Sequence, residues 1–281
     1  MGNDVHVSLR SGDLVNLKAV DLEDGTHALA VVDKVLDPVN VKTGGVPLDV
    51  SRKLRIEGRN SNVSKTGLWV DIWEGASDII PEPSQTGETL AIRGNNLNDT
   101  LSGTGAWRVR VEYLNTLDQL AFEDVDMNGD ALVITGITNF TDVIDFYTIA
   151  NGSNATPVGD IQILNVAETV EYSVIKEGGN KSQSSLRHLL PTSTFYLTGM
   201  LVSSSSKGLE VALRSTSNDS GDVFDRVYLY QVPLTVTDAP VWIPFDPAIE
   251  IPPTARVKVS AKTIAQGTHR VSIWMNGYVK I

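Results

Sequence analysis

"AWRVRVEYL", residues 106–114, decides the fold class, because apolar and polar side chains alternate along it. An extended chain points successive side chains to opposite faces. One face of this stretch carries the apolar side chains Trp107, Val109, Val111 and Tyr113. The opposite face carries the charged side chains Arg108, Arg110 and Glu112. The stretch therefore predicts a β-strand with one face in a core and the other in water.

The same period-two alternation recurs along the chain, in runs bounded by Gly, Asn, Asp, Pro or Ser. Val, Ile, Thr and Tyr dominate these runs, and such residues favour strands. Almost no stretch shows the 3.6-residue period of an amphipathic helix. The clearest further examples are KLRIEGR (53–59), RVYLYQVPL (226–234), ARVKVSAK (255–262) and HRVSIWMNGYVKI (269–281). The sequence predicts an all-β protein.

The first region, residues 1–51, predicts an extended N-terminal arm. It contains no aromatic residue, and residues 37–50 include two prolines and a Gly-Gly pair, so it has little to bury by itself. Residues 13–22 and 27–36 are nevertheless too apolar for a solvated tail. We expect the arm to lie against another surface, where extended segments add strands to exposed sheet edges.

Two β-sandwich domains are predicted to follow the arm. Residues 52–169 form the first sandwich, with Trp69, Trp73 and Trp107 in its core. Residues 170–281 form the second, a jelly-roll-like sandwich of about eight strands.

Two tryptophans in alternating strands, Trp107 and Trp274, are interpreted as core side chains rather than as platforms for a ligand. The serine run at 203–206 is predicted to be a loop between strands, because apolar strands flank it closely.

Composition excludes several classes of function. The formal net charge of −11 argues against a nucleic-acid partner, because phosphate contacts need clustered Lys and Arg. The chain has no cysteine, which excludes disulfides, zinc-thiolate sites and thiol catalysis. No stretch approaches the ~20 apolar residues of a membrane span, and residues 1–15 lack a secretory signal. We therefore expect synthesis in the cytosol, a soluble product and no membrane partner.

Residues 122–136, FEDVDMNGDALVITG, have two incompatible interpretations. Asp124, Asp126 and the pair Asn128–Gly129 match the opening of a calcium loop. The same letters place an Asn-Gly turn between two alternating stretches, which is a strong hairpin signal. Position twelve of the loop would be Thr135 instead of an acidic ligand, and strands flank the segment. We favour a type I′ hairpin that buries the apolar residues beside the aspartates, and no metal site.

No catalytic constellation stands out. LSGTGA (101–106) lacks the Gly-Lys-Ser/Thr ending of a phosphate loop and leads into a strand, so it predicts a turn. DIWEGASD (71–78) imitates a glycosidase cleft, since acids lie beside tryptophans, but the pattern is more typical of a packed corner with solvated charges. The four histidines show no metal-ligand spacing; they are His6, His27, His188 and His269. No serine lies in a G-x-S-x-G elbow. The sequence predicts no catalytic, metal or cofactor-binding residue, and no enzyme.

Three segments carry a recognisable pattern. Residues 54–81 contain a Gly-Arg-Asn turn and an Asp-Ile-Trp motif, and residues 97–130 contain an Asp-Thr-x-x-Gly-Thr-Gly-Ala turn leading into a strand. Residues 249–281 close the chain with two further alternating runs. In these segments the chain resembles structural proteins of tailed-bacteriophage virions, and the resemblance extends over residues 52–281. It implies a head-decoration, head-fibre, neck-collar or tail-associated protein, and it brings no catalytic residue with it.

The leading hypothesis is therefore a non-catalytic structural component of a tailed-phage virion. Its partners would be further copies of itself and other virion proteins of the capsid, the portal or neck, or the tail. The alternative is a β-sandwich module of a phage fibre that binds a carbohydrate or host receptor, with exposed aromatic side chains stacked on sugar rings. A β-sandwich enzyme acting on polysaccharides is the third hypothesis.

Overall fold

The computed structural model describes residues 5–8, 14–21, 27–30, 51–64, 68–205, 208–216, 226–234, 240–263 and 266–280. These residues form strands, turns and loops and no helix, which confirms the all-β prediction. No helix in the described residues is therefore long and apolar enough to cross a membrane.

The strands are β1 (Val5–Ser8), β2 (Leu14–Asp21), β3 (His27–Ala30), β4 (Ser51–Ser64), β5 (Val70–Asp71), β6 (Leu90–Gly94), β7 (Ala106–Asn115), β8 (Leu120–Asp126), β9 (Val133–Ile134), β10 (Phe140–Asn151), β11 (Ile161–Asn165), β12 (Glu171–Ile175), β13 (Arg187–His188), β14 (Thr194–Ser204), β15 (Leu209–Ser215), β16 (Arg226–Leu234), β17 (Val241–Ile251), β18 (Arg256–Thr263) and β19 (Thr268–Lys280).

The chain divides into two compact units, residues 1–49 and residues 50–281. In the first unit, β1, β2 and β3 form an antiparallel sheet in that order. Val5 lies opposite Leu17, and Lys18 lies opposite Ala30. Residues 31–50 of the predicted arm lie outside the described residues. The docking of the arm on another surface stays a prediction.

The second unit contains a jelly roll built from two antiparallel sheets. One sheet has the strand order β17-β14-β19-β4, and the other has the order β13-β18-β15-β16 with β5 also paired to β18. Along the chain, β14 lies in the first sheet, β15 and β16 in the second, β17 in the first, β18 in the second and β19 in the first. This repeated exchange between two sheets is the connectivity of a jelly roll. The jelly-roll prediction for the C-terminal strands is thus confirmed.

The jelly-roll core lies between the two sheets, and it forms because alternate side chains of each strand point inward. On β19, for example, Val271, Ile273 and Met275 are buried, whereas Trp274 between them points outward. Large side chains from both sheets meet in this core, among them Phe195, Leu197, Leu213 and Val259.

A second sandwich is inserted into one strand position of the jelly roll. Asp71 at the end of β5 lies opposite Ser260 of β18, and Arg187 at the start of β13 lies opposite Val257. The two short strands thus occupy consecutive places along one edge of β18. Strands β6 to β12 lie between them in the sequence and form their own sheets, β10-β7-β8 and β12-β11-β6-β9.

The inserted sandwich has its own core, separate from that of the jelly roll. Val109 and Val111 of β7 are fully buried there, which confirms the alternation expected from residues 106–114. Phe140 and Phe146 of β10 and Ile163 of β11 are also buried in this core. The Phe140 ring contacts the half-buried Tyr113 and the buried Tyr172 at centroid distances of 6.4 Å and 5.5 Å.

The strands therefore group differently from the predicted division at residues 52–169 and 170–281. Strand β4 pairs along its length with β19 near the C-terminus, and β12 belongs to the inserted sandwich. The physical reason is that period-two alternation identifies a strand but does not identify its neighbour. Two sandwiches are present, but the first is nested within the second.

Candidate interaction surfaces

The outward face of β18 joins the inserted sandwich to the jelly roll. Alternate residues of β18 point into the jelly-roll core: Val257, Val259 and Ala261. The residues between them point away from that core: Arg256, Lys258, Ser260 and Lys262. All but Lys262 are nevertheless buried, because β5, β10 and the segment that follows β5 supply their partners.

Asp71 is the central acid of this buried row. Its carboxylate accepts hydrogen bonds from Lys258 Nζ at 2.9 Å, Ser260 Oγ at 2.6 Å and the Ile80 amide at 3.0 Å. Its side chain is 4% exposed. A buried carboxylate satisfied by three donors has a structural role, because an unpaired charge would be costly there.

The predicted packed corner at residues 71–78 is present, with one correction. Trp73 is fully buried, and its indole nitrogen donates to the Ser77 carbonyl at 2.7 Å. Asp71 was expected to be solvated and is instead buried, because it neutralises Lys258. Glu74 lies 3.7 Å from Arg59, and burial raises the pKa of its carboxyl above the usual range.

A second buried ionic cluster connects β10 of the inserted sandwich with the jelly roll. The Asp142 carboxylate lies 3.1 Å from His188 Nδ1 and 3.1 Å from Arg256 Nε. Arg256 also contacts Glu82 at 2.6 Å. His188 is one of the four histidines that showed no metal-ligand spacing in the sequence. Its contacts give it a structural role, and its partners come from distant parts of the chain.

A cleft of about 300 Å³ lies beside this cluster. Two charged groups along its wall are paired with each other, since Lys181 Nζ contacts Asp145 at 2.6 Å, and the Arg187 guanidinium donates to the backbone carbonyl of Ile144. Burial lowers the pKa of Arg187. Burial also raises the pKa of the Tyr172 hydroxyl, which donates to the Glu88 carboxylate. The cleft is therefore part of the junction between the sandwiches.

The segment at 122–136 has the predicted burial but a different pairing. Val125 and Met127 are buried, and the exposed Asp124 and Asp126 form ion pairs with Arg110 and Arg108 across the strand at 2.6 Å and 2.5 Å. These arginines lower the pKa of both aspartates.

The predicted type I′ hairpin at Asn128–Gly129 is wrong. Strand β8 pairs with β7, and β9 pairs with β6 in the opposite sheet. Gly129 has a positive φ of 66°, whereas Asn128 does not, so the turn lacks the two positive φ angles of type I′. The Gly129 amide donates to the Asp99 carbonyl at 2.8 Å, which directs the chain away from β8.

The segment at 101–106 is a turn, as predicted, and Asp99 holds it in place. The Asp99 carboxylate is fully buried and accepts hydrogen bonds from the amides of Ala106, Val158 and Gly159 at 2.7–3.0 Å. This turn therefore connects two loops of the inserted sandwich. Across the described ranges, no group of three or more His, Asp or Glu side chains is placed to hold a metal ion.

The outward face of the β17-β14-β19-β4 sheet carries aromatic side chains. Trp242 of β17 and Trp274 of β19 both lie opposite Leu201 of the strand between them, and they are 47% and 41% exposed. Further along the same face, the rings of Tyr196 and Tyr278 stack at 5.1 Å. We call the surface formed by these four aromatic residues and Leu201 the aromatic face.

The prediction that Trp274 is a core residue is therefore wrong. In β19 the inward positions are taken by Ile273 and Met275, so Trp274 points outward, where the Arg55 guanidinium lies 3.8 Å from its ring centroid. Trp107 is only half-buried, and its indole nitrogen donates to the Gly103 carbonyl at 2.7 Å. The aromatic face could not be predicted from the sequence, because both sides of β19 carry apolar residues. In such a strand the alternation of side chains does not show which side faces the core.

A polar pocket borders the aromatic face next to Trp274. It is lined by hydroxyl side chains and one arginine: Ser61, Ser203, Ser204, Ser205, Thr268, Ser272 and Arg270. The loop predicted at 203–206 is wrong for its first half, because Ser203 and Ser204 are the last residues of β14, where they pair with β19. Ser203, Ser204 and Ser205 form part of the pocket wall.

Comparisons with known proteins give only weak structural similarities. No family model and no curated protein matches the chain. Among solved structures, the chain is similar to the structure of the infectious bursal disease virus Gt strain, with 10% identity and a TM-score of 0.24 over 86% of this chain and 74% of that one. It is also similar to the infectious bursal disease virus VP2 subviral particle, with 12% identity and a TM-score of 0.25 over 83% of this chain and 72% of that one. TM-scores at this level do not establish a common fold.

Proposed function

We propose that the protein is a structural component of a virus particle, and specifically of a tailed-phage virion. The observation that carries the proposal is the jelly roll with a second sandwich inserted at β18. Jelly rolls of this kind build viral capsids, and they also occur in lectins. An insertion leaves the jelly roll free to contact neighbouring subunits while the second sandwich offers a separate surface.

The remaining properties fit a non-catalytic role in assembly. Acidic side chains at the centre of the described polar clusters are committed to structural contacts, as Asp71, Asp99 and Asp142 are. The resemblance of residues 52–281 to tailed-phage virion proteins supports the placement in the particle. The expected partners are further copies of the chain and other proteins of the capsid, neck or tail, after synthesis in the bacterial cytoplasm.

The test is to locate the protein in purified particles with a gold-labelled antibody and to measure the mass of the full chain in solution by light scattering. We expect labelled particles, and a homo-oligomer whose interfaces bury more than about 1,000 Å². Particles that carry no label, together with a monomer at all concentrations, would refute the structural role.

The proposed arm, residues 1–51, is tested separately by deleting residues 1–50. We expect the remaining residues to stay folded, because they form a compact unit with both sandwich cores. We expect incorporation into particles to be lost, since the arm would supply the strands that attach the subunit. Circular dichroism and melting of the truncated chain control for folding. Normal incorporation would place the attachment surface elsewhere.

A second candidate function is the binding of a carbohydrate on the host surface. The observation that favours it is the aromatic face, because large exposed aromatic side chains on a rigid sheet provide flat apolar platforms flanked by polar groups.

A further inference from the structure

Trp242 is held flat against the sheet. A Cβ atom at position 199 would lie 2.2 Å from the Trp242 ring, so only glycine at that position lets the indole rest on the backbone of β14. Trp242 is nevertheless 47% exposed. This arrangement fixes a large aromatic ring in a position where a flat ligand can stack on it.

Trp274 provides a second ring on the same row of the sheet. Trp242 and Trp274 both lie opposite Leu201, so they stand two strands apart, which corresponds to about 10 Å. That separation suits two sugar rings of one chain. The Arg55 guanidinium lies 3.8 Å from the centre of the Trp274 ring and pairs with Glu57 at 2.9 Å, so a cation covers one face of this ring.

The charge around the aromatic face is opposite in sign to that of the whole chain. The outward positions of β4 and β19 carry five cationic side chains and one carboxylate, Glu57; the cations are Lys53, Arg55, Arg59, Arg270 and Lys280. Asp246 and Glu250 of β17 add two carboxylates to the same face, and Arg59 lies 3.7 Å from Glu74, so the excess of positive charge is small. The chain as a whole has a net charge of −11. A local cationic surface attracts an anionic partner, whereas two copies of this same surface repel each other when they face one another.

The polar pocket extends the aromatic face toward groups that carry hydroxyls. Ser272, which lines the pocket, neighbours Trp274 on the outward side of β19 and lies opposite Ser203 of β14. Hydroxyl side chains both donate and accept hydrogen bonds, and Arg270 in the pocket wall offers paired donors to a carboxylate.

We propose that the aromatic face and the adjoining polar pocket bind an acidic polysaccharide, a chain of sugar rings that carry carboxylate groups. Trp242 stacks on one ring of the chain, and Trp274 together with the Arg55 guanidinium on its face contacts a second ring. Arg55 and Arg270 bind its carboxylates, and the serines of the pocket bind its hydroxyls. This inference rests on the second candidate function and does not depend on the structural role in the particle.

The test is to titrate the full-length protein with oligogalacturonate, an acidic probe, and with maltohexaose, a neutral one, and to follow tryptophan fluorescence and heat. We expect binding of oligogalacturonate that weakens as salt rises, and much weaker binding of maltohexaose. Trp242→Ala should weaken the binding of oligogalacturonate about tenfold, the effect of one lost stacking contact. Gly199→Val should have a similar effect, because the added side chain displaces the indole.

The matched control is Phe122→Ala. Phe122 is 61% exposed on the inserted sandwich and also has an arginine, Arg110, over its ring at 4.4 Å. Its removal should leave binding unchanged, and melting curves confirm that all variants are folded. Equal binding of both probes, or equal loss with Phe122→Ala, would overturn the proposal. A dimer that Trp242→Ala converts to a monomer would also overturn it, because the face would then be covered by a second copy.

Deleting residues 1–50 should leave saccharide binding intact even if incorporation is lost, so the two proposals fail separately.

Discussion

Replacing Asp71 by alanine should destabilise the junction between the two sandwiches more than any exposed charge substitution. The carboxylate accepts from Lys258, Ser260 and the Ile80 amide, and Lys258 is only 10% exposed at its side chain. Without Asp71, solvent cannot replace the lost partner of this ammonium group. Removing one partner of a buried ion pair costs about 3–5 kcal/mol, because the other charge stays buried.

The free energy of unfolding of Asp71→Ala is measured by urea denaturation, followed by tryptophan fluorescence and far-ultraviolet circular dichroism. A loss of about 3–5 kcal/mol corresponds to a fall in Tm on the order of 10 °C for a chain of this size. The double variant Asp71→Ala/Lys258→Met should recover part of the loss, since it removes both charges. Asp126→Ala serves as the exposed control, because Asp126 and Arg108 are both well exposed. If Asp71→Ala shifts the unfolding midpoint no further than Asp126→Ala, the reasoning fails.

Three further predictions concern single positions. The pKa of Glu74 is raised in the folded protein, so the folded state holds the proton at a pH where the unfolded chain has released it, and stability falls as pH rises through that range. Glu74→Gln should therefore raise the Tm at pH 7 and leave it nearly unchanged at pH 4. Calorimetry that shows the reverse would contradict this prediction. Gly129→Ala should lower the free energy of unfolding, measured by chemical denaturation, more than Gly178→Ala does. Both glycines have a positive φ, but only at Gly129 would the new Cβ meet backbone, 3.2 Å from the Cα of Leu97. Equal losses would mean that this close approach is irrelevant. Calorimetric titration with calcium should reveal no site tighter than about 1 mM at residues 124–130, and a stoichiometric micromolar isotherm would refute the structural interpretation of that segment.

The sequence permits prediction of the strands and, in part, of their faces. The burial of Val109 and Val111 follows from alternation alone, because their polar neighbours can only face water. The same rule failed at Trp274, because both sides of β19 carry apolar residues and packing decides which side is covered.

Strand partners and composite clusters could not be predicted. The Asn128–Gly129 pair does mark a change of direction, but the long-range pairing of β9 with β6 determines where the chain goes next. The cluster of Asp142, His188 and Arg256 brings together three separate strands, and no local spacing signals such a meeting. Likewise, the pocket beside the aromatic face combines β4, β14 and β19.

The nested arrangement of the two sandwiches also sets an order of folding during synthesis. Strands β6 to β12 leave the ribosome as one continuous segment and can close their own core early, because their pairings are all local to that segment. Strand β4 emerges before them, yet its partner β19 follows every other strand of the jelly roll in the sequence. The jelly roll therefore remains open, with an unpaired β4, until β19 has been made. A chain truncated before β19 should contain a folded insertion and an unfolded remainder that is prone to aggregate.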